Sequence, residues 1–84
     1  MNRQQLRTLE KIFEKPVRAD IRWSEIESLF KALGAIIQKR SGSRIALKFK
    51  GLYLVIHKPH PGSELDKGAV GSIRSFLERV GIVL

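Results

Sequence analysis

The sequence predicts an α+β domain: a three-stranded antiparallel sheet with helices on one face. Three observations carry this. Residues 44–57 alternate apolar and polar with a period of two, as half-buried strands do. Stretches on either side instead place apolar residues three and four apart, the period of a helix. At 84 residues the chain holds one domain, and its 43% apolar content supports a packed core. The composition does not fit disorder.

The first helix is expected over residues 2–14, where Leu6, Leu9, Ile12 and Phe13 recur at helical spacing. Pro16 stops it. Ser24-Glu25-Ile26-Glu27 then reads as a capping box, with Ser24 as N-cap and Glu27 reaching back to the Ser24 amide. Ile26, Leu29, Phe30 and Leu33 form the stripe of this second helix, and Gly34 ends it as a left-handed cap. Ala35–Arg40 is extended, and Ser41-Gly42-Ser43 is a turn.

Ile45, Leu47 and Phe49 face one way, and Arg44, Lys48 and Lys50 the other. A two-residue turn at Lys50-Gly51 joins this strand to Leu52–His57. That turn sets Ile45 opposite Ile56, Leu47 opposite Leu54 and Phe49 opposite Leu52, so core residues face each other. A one-residue slip would set apolar against polar. The same register sets Arg44 opposite His57 and Lys48 opposite Tyr53 on the open face. Lys58–Leu65 is a Pro- and Gly-containing loop. Asp66 caps a last helix whose stripe is Val70, Ile73, Phe76, Leu77 and Val80, and Gly81 closes it.

Charge is distributed unevenly along this frame. The formal net charge is +8. Residues 1–27 and 64–84 are close to balanced. Between Ser28 and Ser63 there are seven bases (Lys31, Lys39, Arg40, Arg44, Lys48, Lys50 and Lys58) and no acid. An acid-free basic stretch attracts polyanions, nucleic acid first and an acidic protein or an anionic membrane surface second. The chain has no cysteine, so disulfides and Cys-based zinc sites are excluded. It has no membrane-length apolar run and no signal-peptide core, which points to a cytoplasmic protein without a membrane partner. No Gly-rich phosphate loop or metal-ligand spacing is present, so neither cofactor nor metal is expected.

Five segments together resemble one family. They are Asp20-Ile21-Arg22-Trp23-Ser24-Glu25-Ile26-Glu27-Ser28-Leu29, Gly34-Ala35, Gly42-Ser43-Arg44, His57-Lys58-Pro59-His60-Pro61, and Asp66-Lys67-Gly68-Ala69-Val70 with Ile73-Arg74. They are similar to the HicA toxins. The resemblance covers roughly residues 20–83, so residues 20–84 are read as the family domain and residues 1–19 as an N-terminal helical extension. It implies a fold like the double-stranded-RNA-binding domain, with α-β-β-β-α order. It implies an mRNA interferase, a metal-independent endoribonuclease, held inactive by a HicB-type antitoxin. Many members carry a catalytic histidine after the Gly-Ser pair; here that position is Arg44.

RNA cleavage through the 2′-hydroxyl needs a base for its proton and cations for the charge that builds on phosphorus. The only histidines are His57 and His60. His57 lies across from Arg44 in the expected register, close to where the family histidine would act. The catalytic candidates are therefore His57, His60 and Arg44. Lys39, Arg40, Ser43, Lys48, Lys50 and Lys58 are candidate phosphate contacts, and Tyr53 is a candidate platform for an unpaired base. Trp23, just before a helix, is expected to close the core. An alternative is a non-catalytic RNA-binding or protein-interaction module of the same fold.

Overall fold

The computed structural model describes residues 1–59 and 62–84. The order is α1 (Arg3–Ile12), α2 (Trp23–Leu33), β1 (Ile36–Lys39), β2 (Arg44–Phe49), β3 (Leu52–His57) and α3 (Lys67–Arg79). One antiparallel sheet has strand order β1-β2-β3. The α+β class and the α-β-β-β-α order after an N-terminal helix are as the sequence predicts.

The β2–β3 register is the expected one: Arg44 pairs with His57, Ile45 with Ile56, Leu47 with Leu54, Lys48 with Tyr53 and Phe49 with Leu52. Lys50 and Gly51 both take positive φ, 51° and 78°, as a tight two-residue hairpin turn of matching twist requires. β1 adds Ile37 opposite Leu47 and Ile36 opposite Lys48. The ladder continues past β1, where the Arg40 amide donates to the Arg44 carbonyl at 2.9 Å.

The helices cover one sheet face. Ile45, Leu47 and Ile56 meet Ile26, Leu29 and Phe30 of α2 and Val70, Ile73, Phe76 and Leu77 of α3 in a single core. Phe30 and Phe76 stack with ring centroids 6.2 Å apart, tying α2 to α3. Leu9 and Ile12 of α1 enter the same core. α1 is further anchored by Arg74 of α3, whose guanidinium donates to the carbonyls of Ile12 at 3.2 Å and Glu14 at 3.0 Å. Those carbonyls lie at and just beyond the end of α1, where partners are otherwise lacking. Leu6 stays exposed, and Thr8 takes a buried place beside Leu9 instead.

Two local expectations need correction. α2 begins at Trp23, so Ser24 lies inside the first turn and is not the N-cap. Glu25, rather than Glu27, folds back and accepts from the Arg22 amide at 3.0 Å. The reason is tertiary. Trp23 is buried, and its amide donates to the Ser63 carbonyl at 2.8 Å, while the Leu65 amide donates to Ile21 at 2.8 Å. These bonds fix where the helix starts. They also pin Glu64 opposite Arg22, so residues 63–65 are tied to the helical layer. Gly34 takes the left-handed conformation (φ 88°) and closes α2 as expected. Asp66 caps α3 by accepting from the Ala69 amide at 2.8 Å.

Candidate functional site

Opposed residues in an antiparallel pair share a face. The open face therefore has three rows across the sheet. At one end stand Arg40, Arg44 and His57; in the middle Gln38, Ala46 and Val55; at the hairpin end Ile36, Lys48 and Tyr53. The outer rows are four residues apart along β2, about 14 Å at strand spacing.

The first row forms the candidate site. Arg44 and His57 are direct partners and both are exposed. Paired positions bring Cβ atoms to about 5 Å, close enough for both side chains to meet one phosphate. Ser41 holds the Arg44 guanidinium, its hydroxyl accepting from Nη2 at 3.0 Å. The Lys58 amide donates to the Ser43 carbonyl at 2.7 Å, which fastens the chain after β3 to the β1–β2 turn. Two depressions meet here. One of about 230 Å³ is lined by Lys39, Arg40, Ser43, Arg44 and Lys58. The other, about 450 Å³, is lined by His57, Pro59, Glu64, Asp66 and again Ser43 and Lys58.

Ion pairing separates this end from residues 7–25. Among the described residues the ion pairs are Arg7–Glu10 (3.7 Å), Lys11–Glu25 (3.0 Å), Arg18–Glu14 (2.6 Å) and Arg18–Asp20 (2.7 Å). None includes Lys31, Lys39, Arg40, Arg44, Lys48, Lys50 or Lys58. The paired groups show it in their titration. The Asp20 carboxyl is held below its ordinary range by hydrogen bonds from Arg18. Burial pushes the Glu25 carboxyl up, but the Arg22 amide and the Lys11 ammonium outweigh it and hold the group below its usual value. Among the described residues the sheet-end cations have no such partner within 4 Å, and the nearest acids on that side, Glu64 and Asp66, line the His57 depression without pairing with them, so their field can act on an incoming anion.

The sequence-predicted residues divide into two groups. Lys39, Arg40, Ser43, Arg44, His57 and Lys58 gather at one end of the sheet. Lys48, Lys50 and Tyr53 stand at the other, where the Lys50 ammonium lies 5.4 Å from the Phe49 ring centroid. Lys39 pairs with Ile45 and so lies on the helix-side face, exposed at the strand end. His60 lies outside the described residues. Trp23 is buried in the core, as expected. Sequence reasoning missed Ile36 and did not connect Ser41 to Arg44. β1 carries two successive isoleucines, Ile36 and Ile37, so no alternation marks which one faces out. The Ser41–Arg44 spacing was visible, but serine in a turn is explained by the turn alone.

No helix among the described residues is long and apolar enough to cross a membrane. Neither the curated proteins nor the solved structures gave a match. The sequence model described as HicA toxin of bacterial toxin-antitoxin matches residues 23–82, from the start of α2 to just past α3. That span is more than two-thirds of the chain and contains the whole sheet. This chain belongs to the HicA toxin family of toxin–antitoxin systems, a family that implies a cognate antitoxin.

Proposed function

We propose that this chain is an mRNA-cleaving endoribonuclease toxin, acting without a metal, in the cytoplasm, and neutralised by a HicB-type antitoxin. In this reading residues 20–84 are the family domain and residues 1–19 a helical extension of it. The observation that carries the reading is the cluster of cations Arg40, Arg44 and Lys58 around His57, in no ion pair among the described residues.

The chemistry follows from those groups. Neutral His57 takes the proton of an RNA 2′-hydroxyl. The 2′-oxygen attacks the adjacent phosphorus, and the bond from phosphorus to the 5′-oxygen breaks. The products are a 2′,3′-cyclic phosphate and a 5′-hydroxyl. Arg44 stabilises the charge that builds on the phosphoryl oxygens, and its tether to Ser41 keeps it oriented beforehand. Arg40 and Lys58 hold flanking phosphates, and Lys39 and Ser43 line the same depression. The leaving 5′-oxygen takes a proton from His60, an assignment that rests on the sequence alone. An antitoxin with an acidic surface would cover the same cations and so exclude RNA.

Arg44, standing where many family members have the catalytic histidine, favours a second reading: an RNA-binding or protein-interaction module of this fold that does not cleave. Expression in cells separates the two. The nuclease reading predicts growth arrest, relief by the product of an adjacent antitoxin gene, and loss of arrest in His57→Ala. Arrest that persists with both His57→Ala and His60→Ala removes the catalytic assignment. RNA retention with steep salt dependence and no cleavage products supports the second reading.

A further inference from the structure

A second depression lies at the opposite end of the sheet from His57. It measures about 440 Å³ and is lined by Gly34, Ile36, Lys48, Phe49, Leu52 and Tyr53, with the hairpin turn closing it. Its character differs from the cationic end. Ile36 is 58% exposed and Tyr53 62%, and Val55 in the next row is 41% exposed. These are large apolar groups together on a face the fold leaves open; the other large apolar side chains so exposed, Met1, Leu6, Val83 and Leu84, lie on α1 or near the ends of the sequence. Lys48 stands between Ile36 and Tyr53 in the same row, and Lys50 stands at the turn. Neither lysine is in an ion pair among the described residues, and no acid occurs between Ser28 and Ser63.

The combination restricts the occupant. An apolar groove rimmed by unpaired lysines fits a flat π-system attached to negative charge. A protein side chain from an ordinary interface supplies the first but not the second. A nucleobase with its own phosphate supplies both, and an exposed aromatic ring beside a cation is how single-stranded nucleic acid is held without base pairing. The volume suits one or two bases. The neutral middle row, Gln38–Ala46–Val55, connects the groove to the Arg40–Arg44–His57 row. Ala46 there has a short side chain with no exposed surface, so no charged group stands between the two ends of the open face.

We propose that the groove around Tyr53 and Ile36 is a base-binding subsite for single-stranded RNA, engaging an unstacked base while the Arg44–His57 end, about 14 Å away, holds the reacting phosphate. The inference rests on the nuclease-toxin reading for the identity of its ligand. It adds that a base removed from the cleaved bond is gripped, and that the grip is by stacking on Tyr53. Lys48 and Lys50 hold the phosphates of that nucleotide.

The test uses a 2′-O-methyl single-stranded RNA of about ten nucleotides, which lacks the nucleophile and survives intact. Binding is read by fluorescence anisotropy across a salt series. Tyr53→Ala is expected to weaken binding at least about five-fold, with the salt slope unchanged, because a stacking contact is lost and no phosphate contact is. Tyr53→Phe restores affinity. Replacing one nucleotide at a time by an abasic residue weakens binding to the wild type at one position and has no effect there on Tyr53→Ala. Arg44→Ala instead lowers the salt slope. If wild type binds this RNA but Tyr53→Ala binds equally well, or the abasic series is flat, the subsite is overturned while the nuclease reading stands. If wild type binds no RNA, both fall. If Tyr53→Ala weakens only the cognate antitoxin, the groove is a protein dock and the inference is wrong.

Discussion

Among the described residues, three of the six bases in residues 1–27 (Arg7, Lys11 and Arg18) lie within ion-pairing distance of a carboxylate; of the seven between Ser28 and Ser63, Lys31 on α2 and six on and beside the sheet, none does. The two regions differ in what their cations are for. Lys11 and Glu25 are the most buried pair, with side chains 21% and 17% exposed, and they join α1 to α2. Removing either would leave the other partly buried and unmatched. Among the described residues the sheet end has no ion-pair partner to lose. Its cations repel one another mildly in the free protein, and an anion relieves that repulsion. On the proposed reading, the paired charges of residues 1–27 serve architecture, and the charge on the sheet serves a partner.

The largest effect separating the regions is expected on the sheet. His57→Ala should slow RNA cleavage by about a hundred-fold or more, the usual contribution of a general base. His57 is exposed, so thermal unfolding should be unchanged. In the helical layer the pattern reverses. Ile12→Ala removes a fully buried side chain and should cost about 2–5 kcal/mol of stability in denaturant titrations. Its RNA affinity, measured where the variant is still folded, should match the wild type.

Smaller effects sharpen the contrast. The folded-state depression of Glu25 and Asp20 means both contribute stability that is complete above the unfolded carboxylate range. That contribution is lost as the pH falls below about 4 and through the depressed folded values. Thermal melts at neutral and acid pH should show the loss, and Glu25→Gln should flatten it. Smallest is Ser41→Ala. It frees the Arg44 guanidinium without removing charge, so RNA affinity should fall only a few-fold with the salt slope intact, consistent with about 1 kcal/mol for one hydrogen bond.

Much of the sheet is legible in the sequence because alternation and a two-residue turn together leave one register that turns Ile45, Leu47, Phe49, Leu52, Leu54 and Ile56 to one side, where Ile45, Leu47 and Ile56 are buried and the other three half-buried. That register alone brings Arg44 to His57. Gly34 and Asp66 were readable for a similar reason, since each does a local job that few residue types can do. The start of α2 was not. Ser24 and Glu27 have capping-box spacing, but Trp23 and the pairing of residues 21–23 with 63–65 decide the boundary, and that pairing spans some forty residues. Lys11–Glu25 was hidden likewise, because nothing local ties a base on one helix to an acid on the next. Ile36 was unreadable because β1 is short and lacks alternation. The apolar groove at the hairpin end therefore emerges only from the fold.

The most direct test of the division between architectural and partner-facing charge is the salt dependence of RNA binding in two sets of variants. Arg40→Ala, Arg44→Ala and Lys58→Ala should each lower the slope of log K against log salt by about 0.7, one phosphate contact on a single strand. Arg7→Ala and Arg18→Ala, which remove paired cations, should leave the slope unchanged. Equal losses in both sets, or no loss in the first, would contradict the account.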